Sequence, residues 1–227
     1  MRVLTLDIGN STVDACSWEE GELKHLGRFT HLDLSVARGS WDRVLAVSVR
    51  PSVEEDLIKT FGRTLRVISL EDIPIKVDYK TPETLGTDRV LFAYAVREFY
   101  GDSAVLVSAG TALVVDLLTE GVFRGGFITA GVSLKLKALN RFTEGIPGFK
   151  PRRTDLPIGR STEECVVGGA FEESRAFVRE VIGRWRESTG KDLKVVVTGG
   201  EGWVFEDMGI YDPLILHRGM LRIGGYL

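Results

Sequence analysis

Along most of the chain, apolar residues come in short runs broken by glycine and small polar residues. Residues 3–8 and 13–18 flank Gly9-Asn10-Ser11, which predicts a β-hairpin. Glu19-Glu20-Gly21-Glu22 predicts a second turn, with a third antiparallel strand over 23–29. The apolar run 44–49 reads as a buried strand, Ser52-Val-Glu-Glu55 as a capping box opening a short helix that ends near Gly62, and 65–68 as another strand. An irregular stretch follows to Pro82. From Gly86 the pattern turns helical, and Val90, Leu91, Tyr94, Ala95 and Phe99 supply an apolar face up to about Tyr100.

The strand-turn-strand pattern then returns. Residues 104–117 run an apolar strand into a Gly-Thr turn and out again; laid on the first copy, Gly110 falls on Gly9, Thr111 on Asn10 and Ser108 on Asp7. A hairpin to about Phe127 is expected, turning at Glu120-Gly121, then a helix over 132–142 and a long helix to about Thr189 opened by the capping box Ser161-Thr-Glu-Glu164. Gly168-Gly169 inside that helix suggests tight packing on a neighbour. A third apolar strand, 194–198, runs into Gly199-Gly200, and a closing helix is expected within 211–223. Strands mixed with helices in this order predict an α/β fold, and the repeated unit suggests a duplication, residues 1–102 and 103–227, with the two glycine turns facing a common cleft.

Composition narrows the function classes. With 227 residues, 44% apolar and a net charge of −3, the chain is long enough for two modest domains and has no electrostatic footprint for nucleic acid. No apolar run approaches a membrane span and the N-terminus enters a strand at once, so no membrane association and a cytoplasmic location are expected. Cys16 and Cys165 lack metal or redox spacing and read as buried thiols; His25, His31 and His217 read as surface or packing residues. The run with Lys150, Arg152, Arg153 and Arg160 reads as a solvated loop. No P-loop, protein-kinase signature or GxSxG is present.

The remaining chemistry sits at the glycine turns and at one helix start. Asp7 ends the first strand before a turn of small residues, which suits a nucleotide phosphate with a cation held by the carboxylate; the same residues would equally serve a plain hairpin turn. Asp88 is at a place common for a helix N-cap, whereas Arg89 opposes the helix dipole there and calls for an anionic partner. Gly86 permits close approach, Asp88 could take a proton and Arg89 could hold a carboxylate.

Asp7-Ile8-Gly9-Asn10-Ser11, Gly86-Thr87-Asp88-Arg89, Gly110-Thr111-Ala112, Gly125-Gly126 with Gly131, Thr198-Gly199-Gly200, and Asp212-Pro213 with Gly219-Met220-Leu221 resemble, in order, the motif set of the type III pantothenate kinases. The resemblance implies the fold of the acetate and sugar kinase/Hsc70/actin superfamily: two ribonuclease-H-like halves with mixed β-sheets flanked by helices and ATP in the cleft between them. It also implies ATP-dependent phosphorylation of pantothenate, the first step of coenzyme A synthesis. By the same resemblance Asp7, Ile8, Gly9, Asn10, Ser11, Thr12, Val13 and Asp14 would line the ATP phosphates, with Asp7 holding Mg²⁺, and Thr111 would be a second ATP contact. Tyr79, Gly86, Thr87, Asp88, Arg89 and Thr162 would contact pantothenate, with Asp88 as proton acceptor and Arg89 on the substrate carboxylate. The family is typically a homodimer, and Thr162 would then act near the subunit interface.

Some positions depart from the family pattern. Ser108 stands where the family usually has an Asp that helps bind K⁺ or NH4⁺, so a weakened or altered monovalent cation requirement is expected. Leu113 and Val114 replace threonines, and Ala130 stands where a proline is expected near Gly131. A kinase for another small hydroxylated substrate and a non-catalytic nucleotide-binding regulator on the same fold are the alternatives.

Overall fold

The computed structural model describes residues 1–29 and 39–227. His31 therefore lies outside the described residues. The chain divides into two compact units, one of Met1–Asp102, Gly121–Phe123 and Leu214–Leu227, the other of Ser103–Glu120 and Arg124–Pro213.

In the first unit the strands β1 (Arg2–Ile8), β2 (Val13–Glu19), β3 (Glu22–Phe29), β4 (Arg43–Ser48) and β5 (Leu65–Val67) form a sheet in the order β3-β2-β1-β4-β5. The first three are antiparallel, and β4 runs parallel to both β1 and β5. Central strand β1 is buried on both faces. Alternation sends Leu4, Leu6 and Ile8 to one face, where they pack with Val13, Ala15, Val44, Ala46 and, from helix α1 (Pro51–Phe61), Val53 and Leu57. Each buried Leu, Ile or Val among them contributes about 1.5–3 kcal/mol. Val3, Thr5 and Asp7 take the opposite face, which receives the functional groups. Helix α2 (Thr87–Tyr100) and helix α5 (Ile215–Ile223) pack closely in this unit: a Cβ on Gly219 would stand 2.9 Å from Ala95 Cβ and 3.1 Å from Leu91 Cδ1. That packing groups α5 with the first unit, whereas the sequence assigned it to the C-terminal half.

The second unit repeats the order. Strands β7 (Ala104–Ala109), β8 (Ala112–Thr119), β9 (Val122–Ala130), β10 (Lys194–Thr198) and β11 (Ile210–Tyr211) run β11-β10-β7-β8-β9. Read outward from β1 or β7, the neighbours correspond strand for strand. The hairpin turns after β2 and β8 match as well: Glu20 and Gly21 have φ of 52° and 89°, Glu120 and Gly121 of 54° and 70°. A positive φ at both central residues suits the twist of a two-residue hairpin. Helix α3 (Val132–Phe142) and the long helix α4 (Thr162–Thr189) cover this sheet, with Leu136, Val167, Phe171, Val178 and Val181 among their core residues.

Several details differ from the sequence reading. Helix α1 is capped by Arg50, not through a Ser52 capping box, and has no side-chain cap. Short strand β6 (Lys76–Val77), paired in parallel with Val122 and Phe123, and β11 were not anticipated; two residues carry too little pattern to read. Gly168-Gly169 does not mark tight packing, since a Cβ at Gly169 would meet open space. Cys165 is exposed, not buried. The capping box of α4 is present in part: Ser161 Oγ accepts from Glu164 N–H at 3.2 Å, while the Glu164 carboxylate takes the Arg160 N–H at 2.7 Å.

Candidate active site

In the first unit the β1–β2 register pairs Asp7 with Asp14 and Thr5 with Cys16, so these four side chains share one face of the sheet. The Asp14 carboxylate, 6% exposed, accepts from Arg28 Nε and Nη2 at 2.8 and 2.5 Å on one oxygen and bonds His25 Nε2 at 2.8 Å on the other. His217, 1% exposed, brings its Nε2 to 3.5 Å from Asp14 and bonds Thr5 Oγ1 through Nδ1 at 2.8 Å. Burial alone would raise the Asp14 pKa, but the His217 hydrogen bond and charge and the Arg28 guanidinium outweigh it and hold the carboxyl at about 2. Ligand atoms of Asp14, Cys16 and His217 lie within 4.8 Å of one another. Burial, then the Asp14 and Asp7 carboxylates, push the Cys16 thiol up to about 12. With the thiol protonated and Asp14 already bonded to Arg28, His25 and His217, the trio reads as packed core and not as a metal site.

Asp7 stands differently. Burial, then the carboxylates of Asp88 and Asp14, push its carboxyl up to about 7, with Arg28 only partly offsetting them. A half-buried carboxyl crowded by two others is a place where a cation would be welcome. The turn that follows is closed by Gly9 N–H donating to Thr12 O at 3.0 Å, and Arg50 Nη1 holds Asn10 O at 3.2 Å. Ile8 and Val13 are buried strand residues, so their side chains serve the core.

The start of α2 supplies the second group. Gly86 is its N-cap, and a Cβ there would stand 2.5 Å from Asp88 Oδ1, so glycine leaves the space that the Asp88 carboxylate occupies. Arg89, 8% exposed, lies over the rings of Tyr79 and Phe123 at 5.7 and 5.6 Å from their centroids. This cation–π stacking orients the guanidinium at a helix N-terminus that would otherwise repel it. Beside Thr87 an open cavity of about 440 Å³ is lined by Ser48, Ser69, Glu71, Glu83 and Leu85 among others.

In the second unit Ser108 sits near the end of β7, half-buried, and Thr111 is exposed in the turn that follows. That turn is closed by Gly110 N–H donating to Ala112 O at 2.9 Å, and Thr111 O accepts from Gly131 N–H at 2.9 Å. Thr162 is the exposed first residue of α4.

Residues 3–184 match the family model described as type III pantothenate kinase. The type III pantothenate kinase of Aquifex aeolicus is 47% identical over 98% of this chain and 97% of its own length. The chain belongs to the type III pantothenate kinase family. The Persephonella marina member is 31% identical over 79% of this chain and 74% of its own. Two solved structures share the fold. One is a Campylobacter jejuni protein described as a Baf family transcriptional activator, with a TM-score of 0.70, 21% identity, and coverage of 97% of this chain and 96% of that one. The other, a Sinorhizobium meliloti protein described as a 2-dehydro-3-deoxygalactonokinase, has a TM-score of 0.57, 12% identity and 98% coverage of both chains. What the two share with this chain is the fold, mixed sheets flanked by helices.

Within this family frame, the first unit brings together Asp7, Asp14 and Asp88, and separately Tyr79 with Arg89. Asp14 is tied into its own network, so its carboxylate is engaged inside the unit. Sequence reasoning missed Arg28, His25, His217 and Thr5 around Asp14 and Phe123 under Arg89. The β1–β2 alternation could have pointed to Thr5, and the β2–β3 hairpin, whose register sets Arg28 opposite Asp14 and His25 opposite Cys16, to Arg28 and His25; His217 and Phe123 come from distant parts of the chain. His25 and His217, read as surface or packing residues, are both partners of Asp14.

Proposed function

We propose that this protein is a pantothenate kinase, using ATP to phosphorylate pantothenate to 4'-phosphopantothenate, the first step of coenzyme A biosynthesis. The carrying observation is its membership of the type III family across nearly the whole chain of a 47% identical relative. The geometry of the first unit supports the chemistry. Phosphoryl transfer needs positioning and charge neutralisation more than a strong base. Asp88, held over Gly86, accepts the proton of the primary hydroxyl as it attacks. Arg89 binds the pantothenate carboxylate, its guanidinium held over the rings of Tyr79 and Phe123. Gly86, Thr87, Tyr79 and Thr162 complete the pantothenate contacts.

The hairpin from Asp7 to Asp14 and Thr111 bind the ATP phosphates. The crowding of Asp7 by Asp88 and Asp14 fits a divalent ion, and Mg²⁺ bound there neutralises phosphate charge. At the monovalent cation position Ser108 offers a hydroxyl oxygen where a carboxylate would offer charge, so K⁺ or NH4⁺ activation is weak or altered. The protein works in the cytoplasm as a homodimer. Exposed Ile128, Leu134, Leu139 and Phe142, the last 80% exposed, on β9 and α3 offer a second copy apolar surface to cover, and Thr162 acts near that interface. Among the described residues no helix is long and apolar enough to cross a membrane.

The test is a panel of pantothenate, other small hydroxy acids and sugars, incubated with MgATP with and without K⁺, with products read by mass spectrometry. Phosphopantothenate as the dominant product, formed at similar rates with and without K⁺, is expected. Transfer to another acceptor, or none, would overturn the assignment; a steep K⁺ activation curve would overturn the role given to Ser108.

A further inference from the structure

Glu201 has no part in the roles above, yet three segments of the second unit meet on it. It follows Gly199-Gly200 at the end of β10, and its N–H donates to Ala109 O at 2.8 Å. Its carboxylate accepts from the Val132 N–H at 2.8 Å and the Ser133 N–H at 3.0 Å, the first two amides of α3. These donors have no partner within the helix, and a full negative charge there also complements the helix dipole. The residue before them, Gly131, donates to Thr111 O at 2.9 Å. The segments fit without spare room: a Cβ on Gly131 would lie 1.9 Å from Gly110 O and 2.9 Å from Glu201 Oε2, and one on Gly199 would lie 2.3 Å from Ala109 O. Residues 109–111, 131–133 and 199–201 therefore hold one arrangement, and the Glu201 side chain is the polar link between two of them.

We propose that Glu201 is a positioning residue for the nucleotide turn: by fastening α3 to the 199–201 loop it fixes Gly110 and Thr111 in the pose that meets the ATP phosphates. The proposal rests on the kinase reading and on the role given there to Thr111. Two equivalent oxygens are needed to accept from two adjacent amides. Glu201→Gln keeps one oxygen and turns an N–H₂ group toward the other amide; Glu201→Asp keeps the charge and shortens the reach.

The experiment compares wild type, Glu201→Gln, Glu201→Asp and Asp207→Asn. The last weakens the Arg175–Asp207 ion pair of the same unit, at 2.6 Å, and serves as a control for loss of stability away from the turn. Hydrogen exchange at the Val132 and Ser133 amides reads the clamp directly and does not depend on turnover. Steady-state kinetics then read its consequence. For Glu201→Gln the expected result is exchange at those amides roughly tenfold faster and an ATP KM raised roughly fivefold to twentyfold, the scale of a lost helix cap and its charge. The pantothenate KM should stay within about twofold, with Glu201→Asp intermediate. Asp207→Asn should lower Tm comparably and leave the ATP KM alone. An unchanged ATP KM in Glu201→Gln despite faster exchange would reduce Glu201 to a helix cap and overturn the proposal. If wild type shows no turnover, the kinase reading fails by itself, and affinity for a fluorescent ATP analogue decides the proposal in the same way: weaker in Glu201→Gln supports it, equal overturns it.

Discussion

Asp7 gives the sharpest thermodynamic prediction, because the feature that suits it to a cation should make the metal-free protein less stable. Its carboxyl stands at about 7 against an ordinary value of 3.8. The folded protein thus holds a proton that the unfolded chain has already released between about pH 4 and pH 7, so stability falls as pH rises through that window and the loss is complete above it. At ~1.4 kcal/mol per pH unit the full difference is about 4 kcal/mol, and partial solvent access and relaxation reduce it to roughly 2–4 kcal/mol. Asp7→Asn keeps the shape and removes the charge. In chelator and without nucleotide it should be more stable than wild type by that amount at pH 8, a gain of roughly 5–15 °C in Tm, with the gap shrinking to within about 1 kcal/mol at pH 4. Urea unfolding of both proteins from pH 4 to pH 8 measures this, and added Mg²⁺ should narrow the gap by stabilising wild type alone. A variant no more stable than wild type at pH 8, or a gap independent of pH, would refute the account of Asp7 as a strained cation-holding carboxylate.

Other consequences are as direct. Gly86→Ala puts a Cβ where Asp88 Oδ1 now sits, 2.5 Å away, and should lower kcat at least about tenfold while far-ultraviolet circular dichroism stays unchanged. Asp14 is held at about 2, so it adds stability that is present above about pH 4 and lost as pH falls toward 2; Asp14→Asn should cost about 1–2 kcal/mol at pH 7 and flatten the acid limb of the unfolding curve. Ser108→Asp should make turnover more responsive to K⁺, read from rates across a K⁺ titration at constant ionic strength.

What could be read from the sequence was local and periodic. The hairpin of β1 and β2 showed as alternation around a glycine turn, and its return at β7 and β8 disclosed the repeat that the two strand orders display. Asp88 and Arg89 showed because a helix start constrains which charges belong there. The partners of these residues did not show. His217 reaches Asp14 from the far end of the chain, and Phe123 comes to Arg89 only because β9 pairs with β6, a strand too short for a pattern. Glu201 stood visibly beside a Gly-Gly pair, but its meaning lies in the Val132 and Ser133 amides. Cys165 was misread from its apolar neighbours, since helical period turns it outward while Val167 points to the core.

The central claim is tested most directly by the rate of 4'-phosphopantothenate formation at saturating MgATP and pantothenate, measured side by side for wild type and Asp88→Asn. The account predicts steady turnover by wild type and a loss of roughly 10²–10⁴-fold in the variant, with Tm within about 2 °C of wild type. No product from a folded, ATP-binding wild type, or undiminished turnover in the variant, would contradict it.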